Sequence, residues 1–530
     1  MDEAAQAMTA GDYSRAVQFY TKVLGYPDHK FRKDALELMG LARERKEQFA
    51  HARAIYREYL ELYPEGEGAE RVSQRLAGLE TARAEPKEKL PEAKKRVEET
   101  RTDVYGTFSQ FYNRDESYTD QGGNVVNRSS LSTDLDLNIR RRGPDWDLSA
   151  VGIGGYEYDF LNAGEESEGR LSRLYLDVCS KRLYTSARVG RQWSSTGGVL
   201  GRFDGGLLSF SRIPRIKVNL VSGFPVDSTV LEKIDTDRYF YGINADLGTF
   251  AESWDFNVFA INQLADGITD RRAVGGEARY FRPNLSFFSL VDYDISYGKL
   301  NIALFTGNVF FANKGSINFS GDYRKSPTLT TTNAIQGQGV ETVSELLETM
   351  TEDEVRALAE DRTAESWSAT LGGSYPINEK FQISSDFNVS EFMSTEASGG
   401  VEATPGTGPE YFYSLQLIGS SLIKEGDVAI LGLRYSDTSS SRTISGNINT
   451  RYPVTMNFRV NPRFRTDYSE SKDDGGDQFT IRPSLRMDYY WRRKVRLEFE
   501  GGVEWTYDRV GGQTDLTRDY FIIAGYRIIF

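Results

Sequence analysis

Charged side chains recur at every second position near the end of this 530-residue chain, always on the face opposite the apolar side chains. The set comprises Arg459, Arg463, Arg465, Arg482, Arg486 and Arg496 together with Asp467, Asp488, Glu498, Glu500, Glu504 and Asp508. Two interpretations suit rows of mixed charge. Neighbouring rows can pair and brace a wall, or they can line a polar passage that guides a hydrated solute.

Carboxylate pairs such as Glu498 and Glu500 could also serve a hydrolase, because two carboxyl groups on one face can cleave a glycosidic bond. No further sign of an enzyme accompanies them. The sequence has no phosphate-binding glycine loop, no Gly-x-Ser-x-Gly elbow and no Cys/His metal spacing. Cys179 is its one cysteine, and both histidines lie in the first 51 residues. We therefore expect no catalytic residue, no metal and no cofactor.

The alternation of apolar and polar residues runs through most of the chain after residue 102 and predicts β-strands. These segments extend over about 10 to 14 residues, whereas strands of soluble sheets usually have about 5 to 6. Tilted strands of about 9 to 11 residues are long enough to cross a bilayer. We count 22 such segments, with 18 as a lower bound. The sequence therefore predicts a large antiparallel transmembrane β-barrel over residues 102–530.

The connections between these segments support a barrel with unlike ends. They are short after even-numbered segments, as in "RGP", "PR" and "WRR", and most are long after odd-numbered ones, as in "NRDESYTDQGGNVVNR", "SKDDGGD" and "GGQTDLTR". Bacterial outer-membrane barrels have short turns on the periplasmic side and longer loops outside. No run of residues approaches the roughly 18 to 20 apolar positions of a membrane-spanning helix. Outer-membrane lipid is thus the expected surrounding of the barrel.

The last segment, "DYFIIAGYRIIF", is unusually apolar for a chain with a net charge of −13. It resembles the terminal strand by which bacterial outer-membrane barrels are recognised for assembly, with Tyr526 and Ile528 on the lipid side and Phe530 as the terminal aromatic. The resemblance implies export from the cytoplasm, and with it a signal peptide that precedes residue 1 and is absent from this numbering.

The first 82 residues predict helices and contain an internal repeat with a spacing of 36 residues, or 37 for the prolines. Its signature residues are Tyr13, Ala16, Tyr20 and Pro27, which return as Phe49, Ala52, Tyr56 and Pro64. This pattern resembles the tetratricopeptide repeat. The resemblance implies a protein-binding domain, expected in the periplasm; an unrelated helical hairpin pair is the alternative. Residues 83–101, rich in Glu, Lys and Pro, predict a charged linker.

The longest connection, residues 326–363, contains two candidate capping boxes, Thr342 with Glu345 and Thr351 with Glu354. Each precedes apolar residues at helical spacing: Leu346, Leu347 and Met350, then Val355 and Leu358. We expect a helical hairpin at about residues 340–361. A pair of helices this small must pack on something larger, so we interpret it as a lid or plug of the barrel, with a surface decoration as the alternative.

The fold class is therefore α+β and multidomain: helical repeats, a linker and a barrel. This domain order is similar to that of exopolysaccharide exporters, which implies export of a hydrated polymer with the repeats docking a periplasmic or secreted protein partner. Two alternatives stay open. The barrel could anchor or surround a secreted protein or fibre subunit, or it could be a passive porin. The charge pattern gives no reason to expect nucleic acid as a partner.

Overall fold

The computed structural model describes residues 1–26, 29–81, 100–119, 122–161, 167–230 and 233–530. The chain divides into two compact units, Met1–Val97 and Glu98–Phe530. Most of the predicted linker, including residues 83–99, lies outside the described residues. Arg101, which we assigned to the linker, is instead the first residue of a strand.

The described part of the first unit contains five helices: α1 (Asp2–Thr9), α2 (Tyr13–Leu24), α3 (Arg32–Arg45), α4 (Phe49–Leu62) and α5 (Glu67–Thr81). Tyr13 and Phe49 are the first residues of α2 and α4, so the internal repeat matches two equivalent helix starts. No helix of the described residues is long and apolar enough to span a membrane.

Small residues let the helices of this unit approach closely. Ala16, Ala52, Tyr20 and Tyr56 are all fully buried. A Cβ added at Gly40 of α3 would lie only 2.3 Å from the Tyr56 ring, which explains a glycine inside a helix. These contacts agree with helix pairs that repeat, but they do not confirm the tetratricopeptide assignment. Pro27 lies outside the described residues, and Pro64 lies between α4 and α5.

The second unit is built from 22 strands within the described residues. They are β1 (Arg101–Thr119), β2 (Gly123–Arg142), β3 (Trp146–Asp159), β4 (Glu168–Ser180), β5 (Thr185–Ser194), β6 (Gly201–Ile213), β7 (Ile216–Val226), β8 (Arg238–Phe250), β9 (Trp254–Ala265), β10 (Ile268–Arg282), β11 (Leu285–Asp294), β12 (Lys299–Phe310), β13 (Ser316–Ser326), β14 (Ala364–Pro376), β15 (Phe381–Phe392), β16 (Glu410–Ser420), β17 (Val428–Asp437), β18 (Ser441–Pro453), β19 (Phe458–Ser471), β20 (Asp477–Trp491), β21 (Val495–Val510) and β22 (Gln513–Ile529).

Each strand pairs antiparallel with the next, and β1 also pairs with β22, so the sheet closes on itself. Phe108 of β1, for example, lies between Leu135 of β2 and Ile528 of β22. A closed sheet leaves no edge strand unpaired, which is what a barrel within lipid requires. The prediction of a large antiparallel barrel with about 22 strands is confirmed.

The predicted asymmetry of the connections is weaker than expected, because the connections after β1, β9, β11, β17 and β21 contain only two to four residues. Turns after even-numbered strands are short, and the two longest connections follow β13 and β15. However, β1 extends to Thr119 and β2 begins at Gly123, while β21 ends at Val510 and β22 begins at Gln513, so only three and two residues connect these pairs of strands. We had expected long loops there. Polar residues of these segments are paired in strands because both hairpins continue beyond the apolar part of the wall.

Exposed apolar side chains cover the outer face, as at Leu415 opposite Leu433 and Leu417 opposite Leu431. Outward aromatic residues form one row near the turns and a second near the longer loops. Pairs of the two rows on single strands are Phe458 and Tyr468, Phe479 and Tyr489, and Tyr520 and Phe530. Ten residues separate each pair. At roughly 3.3 Å per residue and a tilt of about 40°, the rows lie about 25 Å apart.

Candidate functional site

The predicted charge rows meet on the inner face of β19, β20 and β21. The register sets Arg459 opposite Asp488 and Arg486 opposite Glu500, with Asp488 opposite Glu498. Directly opposed residues of antiparallel strands point to the same side of the sheet. All of the charged residues that the sequence marked on these three strands therefore share the lumen wall.

Asp488 is the centre of this charged wall. Its carboxylate accepts hydrogen bonds from Arg496 at 2.9 Å, from Arg486 at 3.2 Å and from the side-chain amide of Asn461 at 3.3 Å. The Asp488 side chain is only 4% exposed. A carboxylate removed from water to this degree is tolerated because two guanidinium groups neutralise it.

Most of the other predicted lumen charges are also paired. Arg463 lies 2.7 Å from Glu500, Arg482 pairs with Glu504, and Arg465 lies 2.8 Å from Asp467. The sequence predicted a charge pair for Arg459, but the contact that the structure shows is with an aromatic ring. Its guanidinium lies over the Tyr490 ring, 5.1 Å from the ring centroid.

The same pairing includes the two carboxylates that the sequence offered for hydrolysis. Glu498 and Glu500 both contact Arg486, at an Nη1 to Oε2 distance of 3.5 Å in the case of Glu500. Both carboxylates therefore serve as partners of one guanidinium on the lumen wall. Within the described residues, no group of histidine, cysteine or acidic side chains is arranged to hold a metal ion.

An open cavity of about 720 Å³ lies in front of this wall. Arg463, Arg465, Arg482 and Glu500 line it, together with Arg434 of β17, which our reading of the sequence missed. Arg434 lies opposite Ser445 on the inner face and makes no ion pair with the described residues. The alternation in "AILGLRYS" places Arg434 on the polar face, so the signal was present in the sequence.

A loop that the sequence did not single out enters the lumen between β5 and β6. We call residues 195–200 the inward loop. The backbone N–H of Gly197 donates to Glu277 Oε1 at 2.9 Å, and Arg271 donates to the carbonyl of Gly198 at 3.2 Å. Both wall residues lie on β10 and are buried. Two charged side chains therefore hold the inward loop against β10 of the wall.

Apolar contacts complete the attachment of the inward loop. Val199 packs in a buried cluster with Phe203, Phe240 and Ile261, which lie on the inner face of β6, β8 and β9. Gly198 has φ of +83°, and a Cβ there would lie 2.5 Å from the Phe259 ring. Glycine is required at this position both for its backbone conformation and for its close approach to the wall.

The predicted helical hairpin lies in the connection after β13, residues 327–363, which we call the insertion. It contains a short 3-10 helix at Thr331–Ile335, α6 at Val343–Leu347 and α7 at Glu352–Asp361. Thr351 and Glu354 form a complete capping box, whereas only the Thr342 half of the other box is present. Glu345 turns away to accept a hydrogen bond from the N–H of Glu341.

The apolar residues assigned to the hairpin pack together. Val355, Leu358 and Leu346 are buried in one cluster, and Leu347 and Met350 pack against it from partly buried positions. Ile268 of β10 and Tyr297 of the turn after β11 contact the same cluster.

Polar contacts fix the insertion to the barrel at three places. Asp266 accepts a hydrogen bond from the N–H of Val343 at 2.8 Å, and Arg356 donates to the carbonyl of Ser296 at 3.1 Å. Asp270, which is fully buried, accepts both the N–H and the hydroxyl of Thr332 at 2.8 Å. A bulge in β10 at Asp270 makes the third contact possible, because a bulge re-aims a side chain out of the regular alternation.

A cavity of about 540 Å³ separates the insertion from the inward loop. Its lining includes Val199 and Leu200 from the loop, Thr330 and Thr332 from the insertion, and Arg238 from β8. The start of the insertion thus faces the inward loop across this cavity. The interpretation of the insertion as a lid or plug stays a prediction.

The chain end closes the barrel. The N–H of Phe530 donates to the carbonyl of Gly106 at 3.1 Å, and the N–H of Gly106 donates back at 2.9 Å. Tyr526 donates its hydroxyl to Gln110 at 2.7 Å, and Ile528 lies opposite Phe108. The proposed assembly signal is therefore part of the last seam, although its recognition during assembly stays a prediction.

No protein-family description matches the chain, and no curated protein matches it. Among solved structures, a BenF-like porin from Pseudomonas fluorescens Pf-5 has 10% identity and a TM-score of 0.39, covering 81% of this chain and 99% of its own. Pseudomonas aeruginosa OpdK with vanillate has 8% identity and a TM-score of 0.39, with the same coverage. Pseudomonas aeruginosa OccK5 (OpdH) has 11% identity and a TM-score of 0.35, covering 81% and 98%. These matches do not support the predicted exporter resemblance.

Proposed function

We propose that this chain forms a water-filled channel through a bacterial outer membrane. The observation that carries the proposal is the contrast between the two faces of one closed sheet. The outer face is apolar between two aromatic rows, and the inner face of β19, β20 and β21 holds a wall of ion pairs and polar side chains. An apolar outer band about 25 Å tall with aromatic girdles is typical of strands that meet lipid.

The inner wall favours small hydrated solutes. Ion pairs such as Arg463 with Glu500 leave both signs of charge at the surface of the 720 Å³ cavity, which water can wet. The inward loop lies against the inner face of the wall, so the passage is narrower than the barrel itself, and the insertion would narrow it further as a lid or plug. Pore-lining charges and the width of the constriction are the two features that decide which solutes pass.

Single-channel recording of the purified full chain in a planar bilayer tests this proposal. We expect steps that are small for a barrel of this strand number, because two segments obstruct the lumen. Long silence from a barrel shown to be folded and inserted would contradict the proposal. Liposome swelling with uncharged sugars of increasing size then measures the width of the passage.

Polymer export is the second candidate, and the helical unit before the barrel is its motivation, because a passive pore has no need of such a unit. Deleting residues 1–82 distinguishes the two. A passive channel keeps its conductance and its solute flux after the deletion, whereas an exporter inserts normally but loses secretion. Co-purification of one stoichiometric subunit within the lumen would instead indicate a barrel that anchors a surface protein or fibre.

A further inference from the structure

A groove lies on the outer face of the barrel, on the part of the wall formed by β7 to β10. Ala260 forms its floor, and Leu220, Ile243 and Val274 stand around it with exposed fractions of 44%, 49% and 40%. The groove encloses about 520 Å³, which is within the usual range of small-molecule sites. A small side chain between branched ones leaves a furrow that an alkyl chain can fill.

One end of this groove is polar. The Arg272 guanidinium donates through Nε to Asn262 Oδ1 at 2.7 Å and through Nη2 to Thr269 Oγ1 at 3.3 Å. Asn262 donates to the Tyr241 hydroxyl at 3.1 Å, so the hydroxyl proton of Tyr241 remains available. All three partners of this arginine network are neutral. Among the described residues, no carboxylate lies within ion-pair distance of Arg272.

The position of Arg272 along the wall matches the headgroup region of a bilayer. Arg272 lies opposite Asn262 in register, and Asn262 lies opposite Tyr241. Tyr241 and Tyr293 belong to the aromatic row on the longer-loop side and stand on either side of Arg272. Aromatic rows mark the boundary between acyl chains and headgroups. Arg272 is therefore exposed to headgroups, while the furrow over Ala260 extends into the acyl region.

We propose that this groove binds one lipid with a phosphate headgroup, with the phosphate on Arg272 and an acyl chain in the furrow over Ala260. The proposal rests on the membrane location proposed above. A guanidinium offers paired N–H donors that fit two phosphate oxygens, and Tyr241 can add a third donor. A zwitterionic headgroup fits less well, because no acidic side chain of the described wall is placed to receive its ammonium group.

Native mass spectrometry of the full chain, released from micelles that hold phosphatidic acid and phosphatidylcholine in equal amounts, tests the site. We expect the native chain to retain one phosphatidic acid in preference to phosphatidylcholine. Arg272→Gln should lower that retention by about fivefold or more, since the charge-assisted contacts are lost. Ala260→Phe should do the same by filling the furrow while Arg272 stays in place.

Arg442→Gln is the matched control. Arg442 is also an exposed arginine of the barrel, but it lies 3.6 Å from the Asp437 carboxylate, which neutralises it, so retention should not change. Heat-dependent migration in detergent gels shows whether each variant is folded. Excess inorganic phosphate should not displace the lipid; displacement would mean a free-phosphate site. Equal retention of both lipids, or unchanged retention in Arg272→Gln, would overturn the proposal.

The lipid-retention test and the conductance test can fail independently of each other. A chain that conducts in bilayers but retains no phosphatidic acid shows that the lipid site is wrong and the channel is right. A chain that retains the lipid through Arg272 but never conducts shows the reverse. Arg272→Gln itself should leave conductance unchanged, because Arg272 lies on the face opposite the lumen.

Discussion

Glu277 accepts a hydrogen bond from the backbone N–H of Gly197 at 2.9 Å, and this contact joins the inward loop to the inner face of β10. Glu277 is 3% exposed, so its charge is paired within the protein rather than with bulk water. Arg279 is its second partner. The Glu277 carboxylate therefore links the wall to the inward loop. Removing it should free the loop and so change the width of the lumen.

Glu277→Ala should release the inward loop and increase single-channel conductance. A hydrogen bond to a charged group contributes about 1.5 to 3 kcal/mol, which is enough to change how often the loop leaves the wall. Glu277→Gln keeps an acceptor oxygen and serves as the control, with a smaller increase. Identical conductance in both variants and the native chain would show that the inward loop does not limit the passage.

Replacing residues 340–361 by a short Gly-Ser turn should also raise conductance if the insertion acts as a plug. The replaced segment includes α6, α7 and their contacts to Asp266 and Ser296. The control shortens the β15 to β16 connection, which accepts hydrogen bonds from Arg362 and Gln338 of the insertion. Conductance that does not respond to the replacement would mean that the insertion is a surface decoration.

Asp488→Asn should destabilise the barrel wall strongly. The substitution leaves Arg486 and Arg496 without the buried carboxylate that they share, and breaking such an ion pair costs about 3 kcal/mol. Arg465→Gln removes a pair whose arginine is 49% exposed and should cost less than about 1 kcal/mol. Urea unfolding in micelles compares the two variants. Equal midpoints would contradict a bracing role for Asp488.

High pH should loosen the insertion. Burial raises the pKa of Tyr297 to about 12, although the Thr331 hydroxyl and Arg356 act in the opposite direction. The ordinary value is 10.0, so the folded state favours the neutral phenol. The stabilisation is complete below pH 10 and is lost as the pH rises towards 12. Limited proteolysis of the insertion should show this step. Tyr297→Phe should remove the pH dependence, and at pH 8 it should weaken the insertion only by the loss of the hydrogen bond to the Thr331 hydroxyl.

Deleting Phe530 should reduce the amount of barrel assembled in the outer membrane. Its backbone makes the last two hydrogen bonds of the seam with Gly106. If the terminal aromatic is also an assembly signal, Phe530→Ala should reduce assembly while both backbone bonds stay possible. Phe530→Tyr keeps the aromatic ring and is the control. If Phe530→Ala assembles normally, the contribution of this residue is limited to its two backbone hydrogen bonds in the seam.

The strands and their two faces were readable from the sequence. Side chains of a strand alternate with a period of two, so Arg486 and Asp488 belong to one face and Leu485 and Met487 to the other wherever the strand lies. The closure of the barrel followed from the apolar outer face, because a sheet in lipid cannot leave an edge open. The sequence did not predict that β1 extends to Thr119 or that β22 begins at Gln513. Polar residues continue these strands beyond the bilayer, where there is no apolar alternation to reveal a strand.

The tertiary structure alone decided which of these residues meet. Register sets Arg486 beside Glu498 and Glu500, and a slip of one residue on any strand would have moved the whole row to the lipid face. The inward loop, the bulge at Asp270 and the groove over Ala260 depend on residues far apart in the chain. Local sequence fixes the period of a strand, but contacts between distant strands fix what the lumen and the outer wall can bind.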